Sequence, residues 1–196
     1  MAKIISSEKG TKKEVIIQKA AQLFKSKSYT AASMRELAET LGVEAPSLYN
    51  HIGSKSELLQ AICFKVGNQF TSQIDKIENS PASAIKKLEA IIRFHIQTML
   101  ENFDEVYVAN HEWKHLQEPF LSDFLTIRRN YEKSLTDLIE IGIQKKELKN
   151  INPYVAVLTI LSAVRGLEFW QRNKKNVSQQ VLEDEMVSHL LTGIEN

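Results

Sequence analysis

The chain reads as all-α: about nine helices, three short ones at the N-terminus and a larger helical body behind them. Three observations predict this. Apolar residues recur at i, i+3, i+4 and i+7 along the chain, the period of one helix face. Helix-start signatures of the form S-x-x-E stand at Ser33–Glu36 and Ser54–Glu57, where a hydroxyl and a carboxylate satisfy each other's backbone donors. Strand-like alternation, internal repeats and low-complexity tracts are missing from the pattern.

The first helix puts Ile16, Ala20, Leu23 and Phe24 on one face. The Ser33–Glu36 box starts the second at Met34, and Met34, Leu37, Ala38 and Leu41 form its inward stripe. Gly42 ends it at a position that favours left-handed backbone, and Val43 plugs the turn. A third helix runs from about Ala45 to His51, with Pro46 in the first turn, where a missing N–H is no loss. Ala45, Leu48 and Ile52 face inward, leaving Ser47, Tyr49, Asn50 and His51 outward. Gly53 stops it, and the Ser54–Glu57 box starts a long fourth helix from Lys55 to about Glu78. Asn79-Ser80-Pro81 marks a break, with Ser80 as the next cap and Pro81 in the first turn. The fifth helix reaches about Asn102, with Leu88, Ile91, Ile92 and His95 near one side. Further helices cover about Asp104 to Leu116 and Leu121 to Lys146, then Asn152-Pro153 to Arg172, then Ser178 to Leu191.

Two short helices around a tight turn, with hydrogen-bonding side chains on the second, are what a helix-turn-helix DNA reader needs. The charge supports it. Net charge is only +1 overall, but residues 1–55 carry 9 Lys+Arg against 5 Asp+Glu, a net +4, and residues 56–196 carry 16 against 19, a net −3. Lys3, Lys9, Lys12 and Lys13 crowd the N-terminal arm. A basic head on an acidic body fits phosphate binding with counterion release by the head. The expected division is a DNA-binding domain over 1–55 and an effector-binding and dimerisation domain over 56–196. The joint falls inside the fourth helix, where a tilt can pass from body to head.

Cys63 is the single cysteine, which excludes an intrachain disulfide and fits a reducing cytoplasm and a small core residue. The longest apolar stretch, Tyr154 to Val164, is broken by Thr159 and Ser162 and falls short of the roughly 20 residues a bilayer requires. With no leader pattern at the N-terminus, the expected compartment is the cytoplasm.

Lys12 to Leu59 resembles the DNA-binding domain of the TetR family of transcriptional regulators. The resemblance rests on Ala20-Ala-Gln-Leu-Phe24, Tyr29, Ser33-Met-Arg-Glu-Leu-Ala38, Gly42-Val43, Leu48-Tyr49, Gly53-Ser-Lys55 and Glu57-Leu-Leu59. It implies phosphate contacts from Tyr49 and Lys55, and a backbone contact from the capping Ser33. It places Arg35, Ser47, Asn50 and His51 where base or phosphate contacts are usual. Three positions depart from the family. Glu44 stands where Ser or Thr usually caps the recognition helix, Ala45 where a polar residue is common, and Ile52 where Phe is usual. The recognition helix holds no Lys or Arg, so an Arg–guanine pair from this helix is excluded.

In the body, Ser162 and Gly166 are small and four apart, with Ala163 alongside. Such a face suits close helix approach, either within one chain or in a four-helix bundle across a two-fold axis. A homodimer through the last two helices is expected, because paired heads meet successive major grooves about 34–36 Å apart, or a multiple of that. His111-Glu-Trp-Lys-His115 matches H-E-x-x-H, the zinc-hydrolase pattern with Glu112 as base. A third ligand is required; His95 and Glu168 are the candidates. The segment reads more simply as a pocket wall. Tyr107, Trp113, Phe120, Phe124, Tyr131, Phe169 and Trp170 supply apolar faces, and His95, His111, Glu112, His115, Arg128, Arg129 and Arg165 polar contacts.

The whole is expected to be a ligand-responsive repressor without a cofactor, acting on a near-palindromic operator and released by a small apolar molecule. The body with Arg165-Gly166 is similar to TetR-type regulators of fatty-acid or acyl-CoA metabolism, which implies a ligand of that kind. Three alternatives stay open: a metal-sensing regulator using His111 and His115, a zinc hydrolase through the same segment, and a DNA-binding structural protein with no effector.

Overall fold

The computed structural model describes residues 11–173 and 177–195. Lys3 and Lys9 of the basic arm lie outside them. The fold is all-α, with an N-terminal helix-turn-helix followed by a helical body. Among the described residues the only β pairing is an isolated bridge between Leu148 and Glu195.

The helices are α1 (Lys12–Lys27), α2 (Met34–Thr40), α3 (Ala45–Tyr49), α4 (Lys55–Glu78), α5 (Ala84–Glu101), α6 (Phe103–His111), α7 (Phe120–Gln144), α8 (Pro153–Arg165), α9 (Leu167–Asn173) and α10 (Gln179–Thr192), with a 3₁₀ turn at Trp113–His115. They form two compact units. One holds the described residues through Asn68 with Asp104–Thr126; the other holds Gln69–Phe103 and the described residues from Ile127 onward.

In the first unit α1, α2 and α3 pack around Ile16, Ala20, Phe24, Leu37, Ala38, Leu48 and Ile52, all essentially inaccessible to solvent. Burying a large aliphatic or aromatic side chain is worth roughly 1.5–3 kcal/mol. The α4 residues Leu58, Leu59, Ile62 and Cys63 are equally buried. Gly42 turns the chain between α2 and α3 at φ +67°, where a side chain would be strained.

In the second unit α5 packs against α8, α9 and α10. Leu88, Ile91, Ile92 and Ile96 of α5 are buried, as are Ile160 and Val164 of α8 and Val187 of α10. Arg93 ties α5 to α10 through Glu183 at 3.0 Å and Asp184 at 2.9 Å. Gly142 marks a close approach: a Cβ there would lie 2.6 Å from the Leu148 side chain and 2.9 Å from the Ala84 Cβ.

Three helix ends differ from the sequence-based expectation, each for a local reason. The cap of α5 is Ser83, whose Oγ accepts from Lys86 N, because the Ser80 hydroxyl donates to Ile77 O at the end of α4. The helix expected from Pro153 to Arg172 is two, α8 and α9, which meet at Gly166, the C-cap of α8, whose N–H is shared between Ser162 O and Val164 O. The helix expected through Leu116 stops as an α-helix at His111 and passes through Glu112 into the 3₁₀ turn.

Candidate DNA interface and ligand-binding residues

Sequence-local capping builds the helix-turn-helix end of the first unit. The Ser33 N–H donates to Glu36 Oε2 at 2.9 Å and the Glu36 N–H to Ser33 Oγ at 3.2 Å. Lys27 lies 2.5 Å from the same Glu36 carboxylate. The Lys27 ammonium, followed by the Ser33 hydroxyl and amide, holds the Glu36 carboxyl below the usual range. Arg35 is exposed and pairs with Glu39 at 3.1 Å; exposed pairs of this kind contribute little and release easily.

Leu48 and Ile52 anchor α3 in the core, and Tyr49, Asn50 and His51 are consecutive and exposed, with Ser47 half-buried. Tyr49 is 50% exposed, large for an aromatic ring with nothing to protect. Glu44 is the N-cap of α3 and makes no side-chain cap bond, so the first-turn donors lack the usual hydroxyl or carboxamide partner.

Lys55 opens α4. Its ammonium donates to Ala32 O at 2.6 Å and Thr30 O at 3.3 Å, and lies 4.5 Å from the centroid of the Tyr29 ring. Two of its three donors thus bind the α1–α2 loop just ahead of the Ser33 cap. Tyr29 also stacks on His115 at 5.4 Å and meets Phe24 edge-on at 5.3 Å. Burial raises its phenol pKa against a smaller opposing hydrogen bond from Ser56.

The expected ligand-binding residues divide between the two units. Tyr107, His111, Glu112, Trp113 and His115 belong to the first, and His95, Tyr131, Arg165, Phe169 and Trp170 to the second. In the first, the Tyr107 and His111 rings lie 4.3 Å apart, and His115 Nε2 lies 3.4 Å from Glu112 Oε2. His111 ends α6 and His115 ends the 3₁₀ turn, so the i, i+4 register that H-E-x-x-H needs on one α-helix is broken. Among the described residues no three His, Cys, Asp or Glu side chains are grouped to hold a metal. The metal and hydrolase readings lose their geometric basis.

In the second unit a 2.7 Å hydrogen bond joins His95 Nε2 to Tyr131 Oη. Phe70 stands over both, with ring centroids 4.6 Å from His95 and 5.9 Å from Tyr131, and meets Phe94 at 5.2 Å. Burial, then the charge of Arg165, pushes the His95 imidazole down to about 3, so it is neutral at physiological pH. Burial, then Glu78, pushes the Tyr131 phenol up. Burial likewise raises the Glu78 carboxyl. Arg165 is solvent-exposed, Phe169 is 70% exposed, and Trp170 is half-buried with its Nε1 enclosed and unpaired. Phe70 and Phe94 escaped sequence reasoning. Phe70 follows Cys63 and Val66 on the inward stripe of α4, which reads as plain core until His95 and Tyr131 are seen against it.

Fold and exposed face together define a helix-turn-helix DNA-binding regulator. Residues 16–62 match the model for bacterial regulatory proteins of the tetR family, and residues 81–194 the model for the tetracyclin repressor-like C-terminal domain. The second match covers more than half of the chain, and the protein belongs to the TetR family. It is 21% identical over 144 residues to the HTH-type transcriptional repressor KstR2 of Mycolicibacterium smegmatis, covering 73% of this chain and 70% of that one. With KstR2 of Rhodococcus jostii it shares 20% over 191 residues, 96% of this chain and 94% of that one. The structure of the ketosteroid transcriptional regulator KstR2 of Mycobacterium tuberculosis is similar with a TM-score of 0.88 at 17% identity, covering 99% of this chain and 100% of that one. That of AibR in complex with isovaleryl coenzyme A and operator DNA matches with a TM-score of 0.80 at 23%, covering 91% and 97%. No helix among the described residues is long and apolar enough to cross a membrane.

Proposed function

We propose that this protein is a cytoplasmic, homodimeric repressor rather than an enzyme, released from a near-palindromic operator by a small molecule with a large apolar part. The observation that carries the DNA reading is the capped α2–turn–α3 unit presenting Tyr49, Asn50 and His51 to solvent from a buried Leu48–Ile52 anchor. Residues 1–55 are the reading head and 56–196 the effector and dimer domain. Ser33, Arg35, Ser47 and Lys55 complete the contact surface. Phosphate contacts set register and polar side chains read base edges.

The dimer reading rests on α8 through α10. Tyr154, Val155 and Leu158 of α8 are more than half exposed, and Thr159 and Ser162 continue the same face. Val181 of α10 is 51% exposed. An apolar stripe of this kind on a soluble chain is covered by a partner, and a two-fold copy covers itself. The ligand reading is supported by the aromatic surroundings of His95 and Tyr131, and by similarity to AibR, whose complex holds isovaleryl coenzyme A.

The test is selection of a binding site from random duplex DNA, then titration by fluorescence anisotropy with and without isovaleryl coenzyme A. The expected result is a near-palindromic site bound by two chains, with affinity falling as salt rises. Tyr49→Ala should weaken the complex about tenfold, roughly the worth of one charge-assisted phosphate hydrogen bond. Lys55→Ala should weaken it further, because it also frees the loop ahead of Ser33. Unchanged affinity in both variants would remove α3 and the start of α4 from the interface.

A further inference from the structure

With the metal reading gone, His115 still has a defined place in the first unit. His111 stays with Tyr107, whereas the His115 ring stacks on Tyr29, 5.4 Å away and 23° from parallel. On its own turn His115 also meets Glu112, a buried residue whose carboxylate lies 3.4 Å from Nε2. The segment that carries it is fixed at its start. Asp104, in the first turn of α6, pairs with Lys25 of α1. Glu105, beside it and buried, pairs with Lys65 of α4 through both oxygens, at 2.9 and 2.8 Å. Ion pairs at one end of α6 and a stacked ring past the other thus tie this segment to α1, to α4 and to the turn between α1 and α2.

That turn is strained. Ser28, the C-cap of α1, has φ 73° and ψ 157°, a combination that is essentially confined to glycine and persists only where the surroundings over-determine it. The supports are on both sides. The Ala32 N–H donates to Ser28 O at 3.2 Å, and Lys55 holds the Thr30 and Ala32 carbonyls. Ser33 follows at once and caps α2. Tyr29, next to the strained residue, is touched by Phe24, by the Lys55 ammonium and by His115. Phe24 and Lys55 belong to the helices of the head itself; His115 reaches the same ring from the segment after α6.

We infer that His115 is a positioning residue for operator binding: stacked on Tyr29, it holds the Ser28–Ala32 turn and the Lys55 ammonium where the α2 cap and the phosphate contact need them. The inference rests on the DNA-binding reading above and adds a residue that acts through Tyr29 rather than by touching DNA. Two of the Lys55 donors bind the turn, which leaves one of its three for a phosphate. A turn that shifts therefore carries Lys55 and the start of α2 with it. One stacked ring is equivalent to a few-fold in an equilibrium constant, the scale of a positioning effect rather than of a lost contact surface.

The experiment uses the full chain and the selected operator, titrated by fluorescence anisotropy. The binding-competent fraction of each variant is set first by stoichiometric titration, so that a less stable variant reads as fewer active chains and not as weaker binding. His115→Ala should weaken the complex about fivefold. His115→Phe, which keeps a flat ring against Tyr29, should bind within about twofold of wild type. In a Tyr29→Leu background His115→Ala should change affinity by less than about twofold, because the group it acts through is already gone. Three results overturn the proposal: unchanged affinity in His115→Ala, an equal loss in His115→Phe, or the same loss with and without Tyr29. Wild-type affinity separates this from the parent reading. If wild type binds the operator, any of the three removes only the role of His115; if wild type binds no operator, the DNA-binding reading falls and the positioning role with it.

Discussion

His95 shows how one residue's surroundings set a property of the whole chain. Unfolded, a histidine titrates near 6.5; in the fold, burial and then Arg165 push it down to about 3. Between those values the unfolded chain binds a proton that the folded chain does not. The folded state is thus fully favoured above about pH 6.5 and loses stability as pH falls toward 3. The loss from this group on going from pH 7.5 to pH 5 is about 2 kcal/mol. His95→Gln, which keeps a hydrogen-bonding group beside Tyr131, should flatten that dependence. Urea unfolding of both proteins at the two pH values measures it, and parallel losses in wild type and variant would show that His95 is not the titrating group. The sequence showed His95 on the α5 stripe but not its partner. Tyr131 lies 36 residues away, and nothing local to either position pairs them.

Among the elements, α3 is the least well capped. It is five residues long, starts at Glu44 with no side-chain cap, and has Pro46 in its first turn. Its stability comes from burying Leu48 and Ile52 rather than from its own ends. Glu44→Ser would supply the missing acceptor, worth about 1 kcal/mol, and remove a negative charge next to the expected phosphate path. Operator affinity should rise about fivefold in an anisotropy titration; weaker binding would mean that Glu44 itself reads a base, as a carboxylate can at cytosine. Most element boundaries were legible because caps act within three or four residues: Ser33, Asn152 and Ser178 cap where the sequence places them. The errors came where two local signals competed. Ser80 and Ser83 are both good caps, and the choice fell to Ser83 once Ser80 had bonded Ile77 O. The break at Gly166 was equally open, since glycine is tolerated inside a helix as well as at its end.

At the scale of the whole molecule the apolar stripe of α8 carries the assembly. Leu158→Glu puts a charge in the middle of that stripe. It should leave the chain folded, because Leu158 is 51% exposed and packs no core. Dimerisation should weaken about 100-fold or more, in the range of losses at central interface residues, and operator affinity should fall with it because two heads bind together. Sedimentation equilibrium measures the first and anisotropy the second. A variant that stays dimeric would place the interface elsewhere. What the sequence by itself determined is the all-α class, the helix-turn-helix and the family it resembles, because periodicity, caps and the Gly42 turn are decided by residues close together in the chain. Only tertiary structure decided that Lys55 holds the Ala32 and Thr30 carbonyls, that His111 and His115 fall on different elements, that His95 meets Tyr131 under Phe70, and that Trp170 keeps an unmet donor. Those facts depend on which distant side chains packing brings together, and on which polar groups it leaves without a partner, and neither is written in local spacing.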